Sequence, residues 1–330
     1  MIQVAPPVHR IAAVIPSYKV KRQIMRVIER IGPEVTTIYV IDDCCPDGSG
    51  QFVQSNNCDP RVRVIFHPHN LGVGGAVLSG YKAAIADGMD IIVKIDGDDQ
   101  MNPELIPEFI APLVSGDADY TKGNRFFHLD ELHRMPKARL FGNAVLSFMS
   151  KFSTGYWGMF DPTNGYTAIQ ARVASHLPFD KVSQRYFFET DMLFRLNTLR
   201  AVVIDVPMDA VYADEESNLK IKKILPEFLL KHSTNLIKRI FYNYYLRDLS
   251  LASIELPLGI FLTSFGLAFG VKHWIMSFQS SVAATAGTVM LAALPLLLGV
   301  QLLLAFIGTD ISNQPRNPIF KILGLRRRLI

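Results

Sequence analysis

The sequence predicts an α/β domain with a mostly parallel sheet, followed by basic amphipathic helices and a two-helix transmembrane hairpin. Three observations predict it. Short β-branched runs alternate with helically spaced stretches through the first half, the order that builds parallel sheets with right-handed crossovers. Three of the expected strands end in polar clusters. Hydrophobic residues make up 49% of the 330-residue chain against 19% charged, and the apolar surplus lies after about residue 250.

The elements follow in order. Ile11 to Ile15 is a short apolar run that stops at Pro16, and Lys19 to Ile31 carries Val20, Ile24, Val27, Ile28 and Ile31 at helical spacing. Thr37 to Ile41 is β-branched and ends at Asp42-Asp43; Gly48 to Asn56 reads as a short helix and Val62 to Ile65 as a strand. Val73 to Ala86 is helical, with small residues on one side. Ile91 to Ile95 is a strand stopped by Asp96, and Pro103 to Val114 is a helix with proline in its first turn. From Asn124 to Gly165 the pattern loosens into a loop and an amphipathic helix. Tyr166 to Ile169, Gln184 to Leu199 and Val202 to Val206 then resume strand, helix, strand.

Lys220 to Arg247 differs. Leu225, Phe228, Leu229, Leu236, Ile240, Phe241 and Tyr244 share helical spacing, among Lys220, Lys222, Lys223, Lys231, Lys238, Arg239 and Arg247. A basic amphipathic helix with aromatics lies on anionic membrane surfaces. Ile254 to Val271 and Val282 to Ile307 follow, and roughly 20 apolar residues suffice to span a bilayer. The intervening Lys272 to Ser281 has one lysine, while the tail has Arg316, Lys321, Arg326, Arg327 and Arg328. The positive-inside rule puts the tail and the first domain in the cytoplasm. The expected layout is a catalytic domain over 1–217, juxtamembrane helices over 218–250, the membrane pair over 251–309 and a basic tail over 310–330, in a multi-pass protein of the inner (plasma) membrane. The first residues, with two prolines and a short apolar run, do not read as a signal peptide.

The formal net charge of +4 offers no footprint for nucleic acid. Cys44, Cys45 and Cys58 have neither disulfide nor zinc spacing and read as free thiols of a reducing compartment.

Ligands of such sheets bind beyond the carboxyl ends of the strands, where the polar clusters fall. Asp96 and Asp98, two apart past a buried strand, point into one crevice. Hard divalent cations take one or two carboxylates plus substrate phosphates, so the pair suits Mg²⁺ or Mn²⁺ on a diphosphate. Asp42-Asp43 with Asp47-Gly48-Ser49 suits either helix capping or a base or ribose hydroxyl. Asn70-Leu-Gly-Val-Gly-Gly-Ala76 is a glycine-rich turn entering a helix, able to approach a phosphate through backbone N–H groups, without the ending of a P-loop.

Pro16-Ser17-Tyr18, Asp42-Asp43 through Ser49, Asn70-Leu71-Gly72 with Gly75-Ala76, and Asp96-Gly97-Asp98-Asp99-Gln100 occur in that order. Together they resemble the family 2 glycosyltransferases of GT-A fold. Gly123-Asn124-Arg125, Asp161 to Tyr166 and Phe188-Glu189-Thr190-Asp191 resemble the branch that acts on polyprenyl phosphates. The resemblance implies an inverting, metal-dependent hexosyltransferase using a GDP-mannose or UDP-glucose type donor and undecaprenyl or dolichyl phosphate. It implies nucleotide-sugar contacts at Pro16, Tyr18, Asp43, Asn70 and Gly75. Asp96, Asp98 and Gln100 would bind metal and diphosphate, and Arg125 and Arg139 the acceptor phosphate. Asp161 would sit beside the reacting sugar, and Glu189 and Asp191 would line the sugar or lipid-phosphate side, with the acceptor phosphate. Lys19 and Val20 stand where the family usually has asparagine and glutamate, and Cys44-Cys45 where it has glycine and serine. A phosphate acceptor is already nucleophilic, so positioning and charge neutralisation are what the protein must supply. Two other readings are a processive polysaccharide synthase, whose Gln-x-x-Arg-Trp motif is missing, and a silent membrane scaffold. Homo-oligomers are left open.

Overall fold

The computed structural model describes residues 9–127, 137–209 and 221–325, without the side chains of 137–141, 143, 221–224 and 324–325. Its residues divide into two compact units: Met1–Leu236 with Pro315–Ile330, and Ile237–Gln314.

The first unit is a seven-stranded sheet: β1 (Ile11–Ser17), β2 (Thr37–Asp42), β3 (Val62–Phe66), β4 (Ile91–Lys94), β5 (Tyr120–Asn124), β6 (Thr167–Gln170) and β7 (Val203–Pro207), in spatial order β3-β2-β1-β4-β6-β5-β7. Among the described residues, β1 pairs in parallel with both β2 and β4, β2 with β3 and β5 with β7. β6 runs antiparallel to β4 and β5. The expected mostly parallel sheet is therefore present. The sequence reading missed β5: Tyr-Thr-Lys-Gly-Asn has no apolar alternation, yet all five residues are buried.

The helices are α1 (Ile24–Glu29), α2 (Ser49–Asn56), α3 (Val73–Ala86), α4 (Ile106–Val114), α5 (Lys137–Thr154), α6 (Ala171–Ala174), α7 (Phe188–Leu199) and α8 (Ile221–Phe241). They cover both faces of the sheet. Ala12 and Val14 of β1 pack with α3 and α7; Ile11, Ala13 and Ile15 pack with α1 and α4. That period-2 division, with both faces buried, is why the strand reads as a continuous apolar run. Each such Ile or Val stabilises by roughly 1.5–3 kcal/mol. The small residues expected along α3 are explained by Gly80, where an added Cβ would collide with Val14. α1 is shorter than its spacing suggested: Lys19 sits in the left-handed region at φ 62° and a turn follows before Ile24.

α8 closes the first unit through His232. Its Nδ1 lies 2.8 Å from Ser153 Oγ of α5, and its ring meets Phe187 edge-on at 5.0 Å. The segment after residue 314 returns to the same unit as α11 (Phe320–Leu325). The N–H groups of Ile319 and Phe320 donate to the buried Asp119 carboxylate, each at 2.9 Å, and Val202 N–H does so at 2.8 Å. The tail expected over 310–330 is thus partly a packed element. Lys220, the side chains of Lys222 and Lys223, and Arg326, Arg327 and Arg328 lie outside the described residues.

The second unit contains α9 (Ala252–Ser280) and α10 (Ala286–Ser312). Both are long and apolar enough to cross a membrane, with mean hydropathies of 1.7 and 2.4. At 29 residues and 1.5 Å per residue, α9 is about 43 Å long. The loop expected at Lys272 to Ser281 is instead helical to Ser280. Nothing in that stretch breaks a helix until Ser281 takes φ 52° as its C-cap. The two helices approach at glycines: a Cβ on Gly299 would lie 2.5 Å from Thr263 N, and one on Gly266 2.7 Å from Leu296 N. Small residues permit such approach between apolar helices. At the near end of this unit, buried Arg239 grips Asp310 with two bonds of 2.6 and 2.9 Å, and Tyr244 Oη donates to the same carboxylate at 2.7 Å.

Burial pushes the His232 imidazole down to about 4 from an ordinary 6.5. The unfolded chain binds this proton near pH 6.5 and the folded chain resists it until about pH 4. Stability is therefore full above pH 6.5 and falls as pH drops toward 4, by up to ~3 kcal/mol. Chemical denaturation of His232→Gln and wild-type protein across that window should show the wild type losing more stability on acidification.

Candidate active site

The cleft is built where the strand order reverses, with β2 on one side of β1 and β4 on the other. Beyond β1, Pro16 is the penultimate strand residue and Tyr18 stands 44% exposed. Ser17 Oγ is buried and has no hydrogen-bond partner among the described residues. Beyond β2, both aspartates are buried and shape turns. Asp42 accepts the Cys45 N–H at 2.8 Å and the Gly50 N–H at 2.6 Å. Asp43 accepts the N–H groups of Leu71 and Gly72 at 2.8 and 2.7 Å, and His67 Nδ1 lies 2.8 Å from its Oδ1.

Several N–H groups of the glycine-rich turn are given to protein acceptors. The N–H groups of Leu71 and Gly72 are given to Asp43, and that of Gly75 to Gln184 O at 3.2 Å. Asn70 Nδ2 donates to Asp43 O at 3.1 Å. The glycines serve close packing: a Cβ on Gly72 would lie 2.7 Å from Gln184 O, and one on Gly74 2.7 Å from Phe188. Gly75 is buried, while Asn70 is exposed beside Asp43.

Beyond β4 the acidic cluster is sorted by its neighbours. Asp99 has φ 64° and turns to α1, where Arg26 Nε lies 3.4 Å and Arg30 Nη1 3.3 Å away. Arg30 also bonds Asn102 Oδ1 at 2.6 Å, the oxygen that caps the next helix by accepting Glu104 N–H. Held this way, the loop leaves Asp98 and Gln100 partly exposed, and the Gln100 N–H donates to Asp98 Oδ1 at 3.1 Å. Asp96 is partly exposed as well and turns its Oδ1 inward, 2.8 Å from the Nζ of buried Lys94. Gly165 roofs that pair, since a Cβ there would collide with Lys94 Nζ and lie 2.9 Å from Asp96 Oδ2.

The far wall carries a second charged group. Arg125, just past β5, forks onto Asp161 with Nε–Oδ2 of 2.7 Å and Nη2–Oδ1 of 3.1 Å. Burial favours the neutral Asp161 acid, but Arg125 outweighs it and holds the carboxyl below its usual range. Lys122, wholly buried, donates to Asn164 O in the same loop. Burial pushes its ammonium down to about 8, against the pull of Asp161 and Glu189. Burial also raises Asp205, which accepts the Phe160 N–H at 3.0 Å. Glu189, in the first turn of α7, lies 3.5 Å from Lys94 Nζ.

The structure thus brings Pro16, Tyr18, Asp96, Asp98 and Gln100 to one strand-end region and pairs Arg125 with Asp161. It does not bring Asp191 there. That carboxylate accepts Ser183 N–H at 2.8 Å, Arg195 at 3.1 and 3.2 Å and Asn235 Nδ2 at 3.2 Å, bonds that knit α7 to its surroundings. Glu189, expected on the sugar or lipid-phosphate side, has Lys94 as its neighbour. Arg139 falls within α5, and its side chain lies outside the described residues. Lys94, Lys122, His67, Arg30 and Asp205 were missed. Lys94 had a signal, a lysine inside an otherwise apolar strand two residues before Asp96; the others act across distant segments and had none.

The family model for glycosyl transferase family 2 matches residues 12–177. The chain belongs to that family. The family 2 chain is 27% identical over 206 residues, 61% of its length and 84% of the relative's, to the undecaprenyl-phosphate mannosyltransferase of Micrococcus luteus. It is 27% identical over 215 residues, 61% of its length and 85% of the relative's, to the UDP-N-acetylglucosamine–dolichyl-phosphate N-acetylglucosaminyltransferase of Methanococcus voltae. The expected resemblance to the polyprenyl-phosphate branch is met by relatives of that kind. In fold it resembles glucosyl-3-phosphoglycerate synthase of Mycobacterium tuberculosis, crystallised with UDP: TM-score 0.54, 18% identity, covering 69% of this chain and 80% of that one. A complex of the same enzyme holds Mn²⁺, UDP and glucosyl-3-phosphoglycerate; it has TM-score 0.51 and 19% identity, covering 70% of this chain and 80% of that one. The fold of this family 2 enzyme is accordingly GT-A.

Its departures from the family pattern can be located. Cys44 occupies φ 53°, the left-handed conformation that glycine takes without strain. Cys45 Sγ receives the Lys19 N–H at 3.1 Å and lies 3.1 Å from Ser49 Oγ. The left-handed strain of roughly 1–2 kcal/mol at Cys44 exceeds the roughly 0.5–1 kcal/mol entropic disadvantage of glycine. Cys44→Gly should stabilise the protein by ~0.5–1 kcal/mol in urea titrations.

Proposed function

We propose that this family 2 glycosyltransferase moves a hexose, with inversion, from a nucleotide diphosphate sugar to a polyprenyl phosphate at the cytoplasmic face of the membrane. One observation carries the reading. The strand-end cluster of Asp96, Asp98 and Gln100 occurs in one chain with two helices long enough to span a bilayer. Relatives whose names specify undecaprenyl and dolichyl phosphate support the lipid acceptor.

Pro16 and Tyr18 flank the nucleotide, Tyr18 offering an exposed ring. Asp43 anchors the turn beside it. The oxygens of Asp98 and Gln100, with Asp96 behind them, suit a hard cation. No group of three His, Cys, Asp or Glu forms a cage among the described residues, so substrate phosphates must complete the coordination, as Mg²⁺ and Mn²⁺ sites often require. Bound there, the ion supplies charge neutralisation for the diphosphate leaving group. Arg125, its guanidinium aligned by Asp161, and Arg139 hold the acceptor phosphate, since the arginine fork matches phosphate oxygens. Asp161 acts through Arg125 in this reading, rather than on the sugar directly. The acceptor phosphate needs little general-base help, so alignment of its oxygen with the sugar carbon is the main contribution. The exposed Leu225, Leu229 and Leu230 of α8, with Lys231 and Lys238, lie on the bilayer surface, and α9 and α10 cross it.

Purified protein with Mn²⁺ should transfer label from one of GDP-mannose, UDP-glucose or UDP-N-acetylglucosamine to undecaprenyl or dolichyl phosphate, and not to the unphosphorylated alcohol. Asp98→Ala should lower that rate by ~10²–10³, the size expected when charge stabilisation of a leaving group is removed. Full activity of Asp98→Ala, or equal transfer to the alcohol, would overturn the assignment.

A further inference from the structure

α5 is built inside out. A helix on the surface of a protein in water buries its apolar stripe and exposes its polar face. α5 instead buries Ser150, Ser153 and Thr154, each 1% exposed, and turns Val145 and Phe148 outward, 43% and 59% exposed. With about 3.6 residues per turn, the two sets fall on opposite sides of the helix. The buried hydroxyls serve the protein side: Ser153 Oγ lies 2.8 Å from His232 Nδ1 of α8, and Thr154 Oγ1 donates to Ser150 O at 2.7 Å. α8 repeats the pattern in the part that belongs to the same unit. It buries His232 and Asn235 and exposes Leu225, Leu229 and Leu230.

The outward face continues past α5. Phe160 is 56% exposed, its carbonyl accepts a bond from Ser147 Oγ at 3.1 Å, and Lys151 Nζ lies 5.0 Å from its ring centroid. The next residue is Asp161, which aligns Arg125. Aromatic rings beside a lysine ammonium match the boundary between acyl chains and anionic headgroups. Two copies meeting on this face would crowd their Lys151 ammonium groups together, whereas anionic headgroups neutralise them. The chain also carries two helices apolar enough to span a bilayer. We propose that α5 and Phe160 form a membrane-docking surface of the sheet unit: Val145, Phe148 and Phe160 enter the acyl boundary of an anionic leaflet, Lys151 meets its phosphates, and the Arg125–Asp161 pair is thereby held at headgroup depth. A polyprenyl phosphate then meets Arg125 without lifting its chain out of the bilayer. The role of Arg125 rests on the reaction proposed above; the lipid contact does not.

The test uses the full-length chain in nanodiscs of phosphatidylcholine and phosphatidylglycerol, with Trp157→Phe and Trp274→Phe so that a single indole reports. Tryptophan is then introduced by Phe148→Trp, by Phe160→Trp or, on the edge strand β3, by Phe66→Trp. Lipid brominated high on its acyl chains should quench the first two strongly and the third hardly at all. If Phe148→Trp does not fold, Phe160→Trp gives the same reading. No quenching at either position in folded protein overturns the proposal, and so does equal quenching at all three. A face covered by a second copy would give a blue-shifted, unquenched indole, which overturns it too. In parallel, Phe148→Ser should raise the KM for undecaprenyl phosphate about 10-fold, the scale of taking one phenylalanine out of an apolar boundary, with kcat and the donor KM unchanged. An unchanged acceptor KM overturns the depth assigned to Arg125. Quenching needs no transfer, so the lipid contact is decided even if the wild type fails to glycosylate polyprenyl phosphate.

Discussion

Parallel strands joined by helical crossovers are buried on both faces, and β1 holds parallel neighbours on both of its edges. Because the chain leaves β1 toward β2 and comes back to β4 on the opposite edge, the loops after these strands diverge and leave a crevice between them. Tyr18, the Asp42–Asp43 turns and the Asp96–Gln100 cluster are neighbours for that reason and no other. The glycines support the same arrangement: Gly80 seats α3 against Val14, and Gly97 packs beside Val20 and Ile15, its Cβ position only 3.1 Å from Val20 Cγ2.

Within the crevice, charge is arranged in alternation. Asp96, Lys94, Glu189, Lys122, Asp161 and Arg125 influence one another from the donor wall to the far wall. Buried charges of this kind add little net stability over an apolar replacement, whereas removing one partner leaves another stranded. Their presence is therefore better explained by the orientation they impose on groups facing the cleft than by stabilisation. Asp42 and Asp43 illustrate the same economy with backbone partners, each carboxylate fastening a turn that the ligand side of the cleft depends on.

Elements that bury one periodic face were legible in the sequence. Val73 to Ala86 was read with the bounds it has, and β1, β2, β3 and β4 within a residue or two, because β-branched runs and 3.6-residue spacing are local signals. β5 was not legible, since Lys122, Gly123 and Asn124 are buried by partners far along the chain. Motif order grouped the strand ends but not the partners of their side chains. Asp191 and Glu189 share one helical turn and looked equivalent, yet one is bound by Ser183, Arg195 and Asn235 and the other faces Lys94. Ser183 and Arg195 hold Asp191 from 8 and 4 positions away, but Asn235 lies 44 positions from Asp191 and Lys94 lies 95 from Glu189, and no local pattern carries those partners.

The return of the chain to Asp119 has a consequence for the order of folding. The N–H groups of Ile319 and Phe320 donate to a buried carboxylate that lies 200 and 201 positions earlier in the chain. A buried acceptor left without donors is costly. The sheet therefore completes its hydrogen bonding only after the segment around residue 320 has been synthesised, although every one of its strands is made more than 100 residues before.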